Sequence, residues 1–188
     1  MKNNKFIVKT KSKNYEIYYG NKILSKTGNL IKKKIPSVKK VCVITDSKLP
    51  RYLIYELNKS LKKFDTHFFK INASEKNKNL NTVNSIITKL LKNNFNRSDC
   101  IISFGGGMIG DISALIANLT KRGLNFINIP TTLLSQVDAS VGGKTGINTN
   151  QGKNLIGTFY QPNFVLSDVS VLKSLPSREV VSGYGEIL

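Results

Sequence analysis

The residue types best able to do chemistry are concentrated in one stretch of the chain, PTTLLSQVDASVGGKTGINTNQGKN, which spans residues 130–154. Hydroxyl, carboxylate and amide side chains alternate there with glycines, and two lysines occur in a half of the chain that has few others. Ammonium groups on glycine turns favour a ligand that carries phosphate and several hydroxyls. A solvated hairpin is the alternative interpretation. The polar members are Thr131, Thr132, Asp138, Lys144, Lys153 and Asn154.

A second candidate site is the glycine run GGGMIGD, residues 105–111, which fits the G-x-G-x-x-G pattern directly after an apolar run. Between a strand and a helix, such glycines allow a tight turn, close approach of the backbone to a pyrophosphate, and helix–strand packing. The helix N-terminus then presents N–H groups to an anion, and Asp111 in the first turn suits the helix dipole. A turn that needs positive φ is the alternative explanation of these glycines.

The ribose of a nucleotide bound at this run would need its own partner. A Rossmann site usually has an acidic residue about 20 positions after the glycines, but neither Asp nor Glu occurs between Asp111 and Asp138. Asp46, at the end of an earlier apolar run, is a candidate for this cofactor contact. Its alternative role is to cap the next helix, and the sequence does not separate the two.

Apolar runs alternate along the chain with stretches of helical periodicity. The strands and helices that they predict must position these two groups of residues. They predict a parallel α/β sheet with right-handed crossovers and flanking helices, preceded by a short hairpin. Residues 131–160 break the pattern and are predicted to be an irregular, functional segment. The predicted strands are residues 6–8, 15–19, 39–45, 66–71, 100–104, 125–129 and 164–166. The predicted helices are one capped by Ser47, one over 80–91, one from about 110 to 120, and one from 177 that is still running at 188.

The chain has a net charge of +18, which comes almost entirely from residues 1–100, with a balance of +17. Such a basic half suggests nucleic-acid binding. However, 25 of the 29 cations are Lys, most of them scattered, and Arg, the better reader of phosphates and bases, is scarce. We therefore expect a biased surface composition and no nucleic-acid partner.

The cysteines and the N-terminus indicate a cytoplasmic protein. Cys42 and Cys100 lie in apolar runs and are predicted to be buried, reduced thiols. There is no C-x-x-C pair and His67 is the single histidine, so this chain does not complete a zinc site by itself. The first residues show no secretory signal, and apolar residues 100–120 contain Asp111 and four glycines, so we expect no membrane span.

From Ser103 to Leu188 the sequence closely resembles the 3-dehydroquinate synthase family of the shikimate pathway. The motifs GGG-x-IGD, RG, PTTLLSQVD, SVGGKT, GKN-x-IG, FYQP and LPSRE-x-x-SG occur in the order and spacing of that family. The first hundred residues match more loosely, mainly at Asp46 and at SEKNK, residues 74–78. The resemblance implies a lyase that converts 3-deoxy-D-arabino-heptulosonate 7-phosphate to 3-dehydroquinate and phosphate. The implied steps are transient oxidation by NAD, elimination, reduction and intramolecular aldol closure.

The resemblance also implies roles for individual residues, by matching position. Glu75 and Lys78 would contact the nucleotide. Glu186 matches the first ligand of a divalent metal, zinc or cobalt, whose two histidine ligands lie downstream in the family. The pyrophosphate would be lined by Gly106, Gly107, Met108, Gly110 and Asp111, and the nicotinamide half by Thr131, Thr132, Leu172, Lys173 and Ser174. The substrate would meet Arg122, Asp138, Lys144, Lys153 and Asn154, with Lys144 and Lys153 also near NAD.

The domain organisation implied by the resemblance is a Rossmann-like NAD-binding α/β domain, residues 1–176, and the first helix of a truncated helical metal and substrate domain, residues 177–188. Without the remaining metal ligands we expect this portion to be inactive alone. The complete enzyme would be a homodimer, or a separate C-terminal half would complete the site. The alternatives are a non-catalytic NAD-binding remnant, another sugar-phosphate cyclase and, more weakly, a basic nucleic-acid-binding protein.

Overall fold

Strands and helices alternate through residues 4–187, the part of the chain that the computed structural model describes. The helices are α1 (Thr27–Lys34), α2 (Arg51–Ser60), α3 (Leu80–Lys92), α4 (Gly107–Leu119) and α5 (Ser177–Tyr184). The strands are β1 (Asn4–Val8), β2 (Tyr15–Gly20), β3 (Lys40–Asp46), β4 (Asp65–Ile71), β5 (Cys100–Gly105), β6 (Asn125–Pro130), β7 (Ile147–Thr149), β8 (Gly152–Ile156) and β9 (Phe164–Asp168).

Seven of these strands form one sheet in the order β1-β2-β9-β6-β5-β3-β4. The outer pair β1–β2 is the predicted antiparallel hairpin, and every other neighbouring pair is parallel. The fold is therefore the predicted Rossmann-like sheet with flanking helices. Gly105 at the end of β5 pairs with Pro130 at the end of β6. Because parallel strands end at the same edge, the glycine run and the polar stretch start side by side.

Helices cover both faces of the sheet and bury its centre. In β5, Cys100, Ile102 and Phe104 pack into the cluster that includes α1 and α2, whereas Ile101 packs into the cluster that includes α3 and α4. Successive residues of a strand point to opposite faces, so a strand covered on both sides needs an unbroken apolar run. Cys42 and Cys100 are buried and free, as expected, and burial raises the pKa of both thiols.

Three helix ends differ from their predictions. α4 begins at Gly107, because Gly106 already occupies the N-cap position. α2 begins at Arg51 after Pro50, so Ser47 is not its cap. α5 ends at Tyr184 instead of running to 188, because glycines on either side of that residue are poor helix formers. Residue 188 lies outside the described part of the chain.

Regular structure also occurs where none was predicted. Residues 131–160 contain a π-helical turn, Ser135–Ala139, and the antiparallel hairpin β7–β8. The N–H of Thr145 donates to the carbonyl of Thr158 at 3.0 Å, which closes the base of that hairpin. α1 was not predicted either. None of the helices within residues 4–187 has both the length and the apolar character needed to cross a bilayer.

Candidate functional site

The glycine run at the end of β5 forms a strand-to-helix turn that has little space for side chains at Gly105 and Gly106. A Cβ on Gly105 would lie 2.7 Å from the Cβ of Ile109, and one on Gly106 would lie 3.1 Å from the Cγ2 of Thr132. Gly106 has φ −74°, and no glycine of the run has a positive φ. Close packing therefore explains Gly105 and Gly106, and the positive-φ interpretation is wrong.

The first turn of α4 presents backbone N–H groups at this junction. The N–H of Gly110 donates to the carbonyl of Gly106 at 3.0 Å, which starts the helical pattern. The N–H groups of Gly107 and Met108 have no partner within the helix, because its geometry provides none for the first turn. Together with the positive end of the helix dipole, they suit an anion.

Lys78, Asp111 and Asn154 form a polar cluster beside the turn. The Lys78 side chain is 7% exposed, and its Nζ lies 2.5 Å from the Oδ2 of Asp111. The same Nζ donates to the Oδ1 of Asn154 at 2.6 Å. Burial raises the pKa of Asp111, although the ammonium group of Lys78 opposes that rise. The cluster joins the loop after β4, the start of α4 and the hairpin.

The hairpin is anchored on the loop after β4. The N–H of Asn148 donates to the carbonyl of Lys78 at 2.7 Å, and its Nδ2 donates to the Oε2 of Glu75 at 2.8 Å. The Nζ of Lys153 lies 3.8 Å from the same Glu75 oxygen. Asn154 has φ 56°, a left-handed conformation that Asn adopts more readily than most residues. Together with the polar cluster, these contacts join five of the sequence-predicted residues: Glu75, Lys78, Asp111, Lys153 and Asn154.

An open cleft of about 520 Å³ lies between α4, the π-helical turn and the hairpin. Asp111, Asp138, Lys144 and Asn154 line it, with further apolar and small residues. Phe159 at its rim is 76% exposed. A volume of this size holds a small molecule, and the charged groups of both signs suit a ligand with phosphate and hydroxyl groups.

Comparison with known proteins places this geometry in a family. The family model described as the N-terminal part of 3-dehydroquinate synthase matches residues 68–182. The chain belongs to the 3-dehydroquinate synthase family. The 3-dehydroquinate synthase of Pelagibacter ubique (strain HTCC1062) is 54% identical over 184 residues, which cover 98% of this chain and 50% of that relative. The chain thus spans about half the length of the curated relatives it matches.

Two solved structures share both the fold and detectable sequence identity with this family member. The crystal structure of 2-deoxy-scyllo-inosose synthase, complexed with carbaglucose-6-phosphate, NAD+ and Co2+, has a TM-score of 0.91 and 26% identity. The match covers 98% of this chain and 50% of the chain in that structure. The 2-epi-5-epi-valiolone synthase from Streptomyces hygroscopicus subsp. jinggangensis 5008, with NAD+ and Zn2+ bound, has a TM-score of 0.80 and 26% identity. The match covers 97% of this chain and 51% of the chain in that structure.

Arg122 lies apart from the other residues that the 3-dehydroquinate synthase motifs single out. It follows α4 with φ 65°, next to the start of β6. The 13 residues of α4 separate it from the glycine turn by roughly 20 Å, at 1.5 Å per residue. The side chains that line the cleft do not include Arg122.

Leu172, Lys173 and Ser174 lie in a 3-10 helix, Val169–Ser174, directly after β9. Since β9 is the neighbour of β6 in the sheet, this segment follows the same sheet edge as Thr131 and Thr132. The Ser174 hydroxyl donates to the carbonyl of Val171 at 3.0 Å. Their nicotinamide role stays a prediction.

Asp46 ends β3, and its carboxylate holds two loops together. Its Oδ1 accepts from the N–H of Lys48 at 3.0 Å and from the N–H of Ala73 at 3.3 Å. Because α2 begins five residues later, after Pro50, the helix-cap interpretation is wrong. The cofactor role of Asp46 stays a prediction.

Glu186 is exposed in the turn after α5. α5 packs closely on the loop after β6, where a Cβ on Gly183 would lie 2.6 Å from the Cβ of Leu133. His67 lies elsewhere, with its ring 5.3 Å from that of Phe95. Across residues 4–187, no group of three or more His, Cys, Asp or Glu side chains is placed to hold a metal ion. The described residues therefore do not form a metal site on their own.

Sequence reasoning missed two amide side chains that hold the site together, Gln136 and Asn148. The Nε2 of Gln136 donates to the carbonyl of Pro130 at 3.2 Å and to that of Asp168 at 3.0 Å, which bridges the ends of β6 and β9. The only feature of the sequence that could have indicated these two residues is their position within the polar stretch, residues 130–154. Their partners are distant in sequence, so no local pattern indicates the contacts.

Proposed function

We propose that this chain is the nucleotide-binding portion of a cytoplasmic 3-dehydroquinate synthase, a lyase of the shikimate pathway and aromatic amino-acid biosynthesis. As part of the complete enzyme it would convert 3-deoxy-D-arabino-heptulosonate 7-phosphate to 3-dehydroquinate and phosphate. One observation carries the proposal: Asp111 belongs both to the glycine turn and to the cleft lined by Lys144 and Asn154. A nucleotide at the turn and a substrate in the cleft would therefore be neighbours.

The glycine turn fits the pyrophosphate of NAD. The N–H groups of the first turn of α4, which begins at Gly107, would bind a phosphate there. Lys78 would offset the charge of Asp111, which would otherwise repel the pyrophosphate. Thr131, Thr132 and residues 172–174 would flank the nicotinamide half. The chemistry that NAD would supply when bound is reversible hydride transfer at the ring carbon that carries a hydroxyl group, with no net oxidation.

The cleft residues would hold and orient the substrate. Lys144 would bind negatively charged groups, and Asp138 and Asn154 would hydrogen-bond to hydroxyls. Lys153 does not line the cleft but lies beside Glu75, and it would bind a negatively charged group from there. Such positioning can contribute several kcal/mol to catalysis by fixing the reacting groups. The proposed contact of Arg122 with the substrate draws no support from the cleft of one chain.

The proposed domains are an NAD-binding unit over residues 1–176 and the start of a helical metal and substrate domain over residues 177–188. Val181, Tyr184 and Ile187 are exposed at this point, which is consistent with a surface that a further domain covers. Glu186 would contribute one ligand to a zinc or cobalt ion. Since the described residues supply no complete set, the other ligands would come from the remainder of the enzyme, in a homodimer or from a separate C-terminal half.

A second candidate function is that of another sugar-phosphate cyclase. The TM-score of 0.91 to 2-deoxy-scyllo-inosose synthase favours it, because that structure shares the fold and is complexed with NAD+, Co2+ and carbaglucose-6-phosphate. The chain could also bind NAD without catalysis, since residues 4–187 provide no complete metal site.

The test combines binding and turnover. Purified chain is titrated with NAD by calorimetry, with Gly106→Val as a variant whose side chain would crowd Thr132. The chain is then mixed with the C-terminal half of the Pelagibacter ubique relative and assayed for phosphate release from the heptulosonate. We expect saturable NAD binding that Gly106→Val abolishes, and release in the mixture that Lys144→Met lowers at least about 100-fold.

Different outcomes separate the candidates. Phosphate release from other sugar phosphates but not from the heptulosonate would support another cyclase. NAD binding without release from any of them would support the non-catalytic remnant. No saturable binding at millimolar NAD would contradict all three functions.

A further inference from the structure

Asn148 lies where the loop after β4 meets the hairpin, and its backbone N–H, its Nδ2 and its Oδ1 all form hydrogen bonds there. Its backbone N–H donates to the carbonyl of Lys78 at 2.7 Å. Its Nδ2 donates to the carbonyl of Glu75 at 3.2 Å and to the Oε2 of Glu75 at 2.8 Å. Its Oδ1 accepts from the N–H of Asn154 at 3.0 Å. One residue therefore fixes three others.

These three residues belong to both sides of the proposed site. Glu75 and Lys78 stand on the nucleotide side, and Asn154 stands on the substrate side. Lys78 closes the arrangement, because its Nζ also contacts Asp111 and Asn154. The contacts form a ring in which the loop, α4 and the hairpin hold one another in place.

We propose that Asn148 is a positioning residue that sets the geometry of the nucleotide side and the substrate side at once. The inference rests on the proposed function, in which Glu75 and Lys78 contact NAD. It goes beyond that function by giving a role to a residue outside the proposed binding set.

The chemistry of the side chain explains why an amide is needed. A planar amide offers donors on one side and an acceptor on the other, which matches the Glu75 carboxylate and the Asn154 N–H. A carboxylate at position 148 would keep the acceptor but would face Glu75, 2.8 Å from the present donor, with a like charge. A hydroxyl would be too short to reach both partners.

The variant Asn148→Asp tests this arrangement, with Asn150→Asp as the matched control. Asn150 is exposed at the turn of the same hairpin, so the control adds the same charge two residues away. We expect Asn148→Asp to raise the Kd for NAD about tenfold or more, the effect of losing one charge-assisted hydrogen bond. Asn150→Asp should change the Kd less than twofold. Asn148→Ser, which adds no charge, should weaken binding in the same direction.

A charge swap distinguishes positioning from a general loss of structure. In Asn148→Asp/Glu75→Gln, the amide and the carboxylate exchange places, so the hydrogen bond can form again. We expect Asn148→Asp to weaken NAD binding less in the Glu75→Gln background than in the unsubstituted chain, the non-additive effect of two residues in contact. Glu75→Gln alone is the reference, because Glu75 is itself proposed to contact NAD. Without ligand, the thermal unfolding midpoints of Asn148→Asp and of the double variant should stay close to that of Asn150→Asp.

Two results would overturn the inference while the proposed function stands. One is that Asn148→Asp and Asn148→Ser bind NAD as well as Asn150→Asp does. The other is that Asn148→Asp weakens NAD binding by the same factor with Glu75 present and in the Glu75→Gln background. Failure of the unsubstituted chain to bind NAD would instead contradict the proposed function, and this inference with it.

Discussion

The centre of the sheet and the hairpin β7–β8 are held in place by different kinds of contact. β5 is buried along its whole length between two apolar clusters. Most of β8 is exposed, and the hairpin depends on hydrogen bonds through Asn148, Lys78 and Thr145. Apolar burial is non-directional and shared among many side chains, whereas each hydrogen bond needs its own geometry.

This difference indicates how the molecule divides its tasks. The sheet fixes the ends of β5 and β6, from which the glycine turn and the polar stretch begin. The hairpin places individual polar atoms in the cleft, where small displacements matter most. Core substitutions should therefore act on stability, and hairpin substitutions should act on binding.

The largest expected effect on stability comes from Phe104→Ala in β5. Phe104 is fully buried, so its truncation should cost about 3–5 kcal/mol in free energy of unfolding. Phe159→Ala is the matched control, because that ring is exposed and should cost less than about 0.5 kcal/mol. Urea unfolding followed by circular dichroism measures both. Equal losses of free energy of unfolding in the two variants would contradict the conclusion that apolar burial in the sheet stabilises the fold.

A smaller effect is expected from Lys78→Met, which breaks the contact between the two regions. The variant leaves Asp111 and Asn154 without their shared partner, and should cost about 1–3 kcal/mol. It should also weaken NAD binding more than Phe159→Ala does. The control Lys76→Met changes an exposed lysine of the same loop. If both lysine variants unfold alike, the buried cluster contributes nothing to stability.

The smallest effect concerns a polar contact on the sheet itself. Glu16 of β2 lies 2.5 Å from the Nζ of Lys5 and also contacts Lys34. Partial burial raises the pKa of Glu16, but hydrogen bonds from Lys34, Lys5 and Tyr18 outweigh that effect and lower the pKa to about 2. A lowered pKa gives stability that is present above the ordinary value and is lost as the pH falls toward 2.

Unfolding at a series of pH values tests the role of Glu16. Between pH 4.5, the ordinary value of the group, and about pH 2, the unsubstituted chain should lose more free energy of unfolding than Glu16→Gln. Identical pH dependence of the two proteins would show that the Glu16 contacts do not stabilise the fold.

The sequence predicted the sheet well because its signal is local. The strand runs such as KVCVIT and CIISF are apolar on both faces, and only a strand covered by helices on both sides suits them. α1 was missed because its polar residues give a weak stripe and no side chain caps its start. Helices of this kind are stabilised by tertiary packing, which the local pattern does not reveal.

The site was predictable in its residue types but not in its connections. Glu75, Lys78, Asp111 and Asn154 were each named as candidates, and the structure brings them together. Their hydrogen bonds join segments up to 76 residues apart, so nothing in the spacing predicts them. The expected roles of these four residues came from the family motifs, whereas their proximity is seen only in the folded structure.

The position of β2 in the sheet has a consequence for the order of folding. β2 pairs with β9, and Asp168 at the end of β9 accepts a hydrogen bond from the N–H of Leu24 across 144 residues of chain. At synthesis rates of about 5–20 residues per second, the β1–β2 hairpin leaves the ribosome roughly 7–30 s before its neighbour exists. During that interval its exposed edge is open to wrong partners, so this hairpin should be the segment most dependent on chaperones during synthesis.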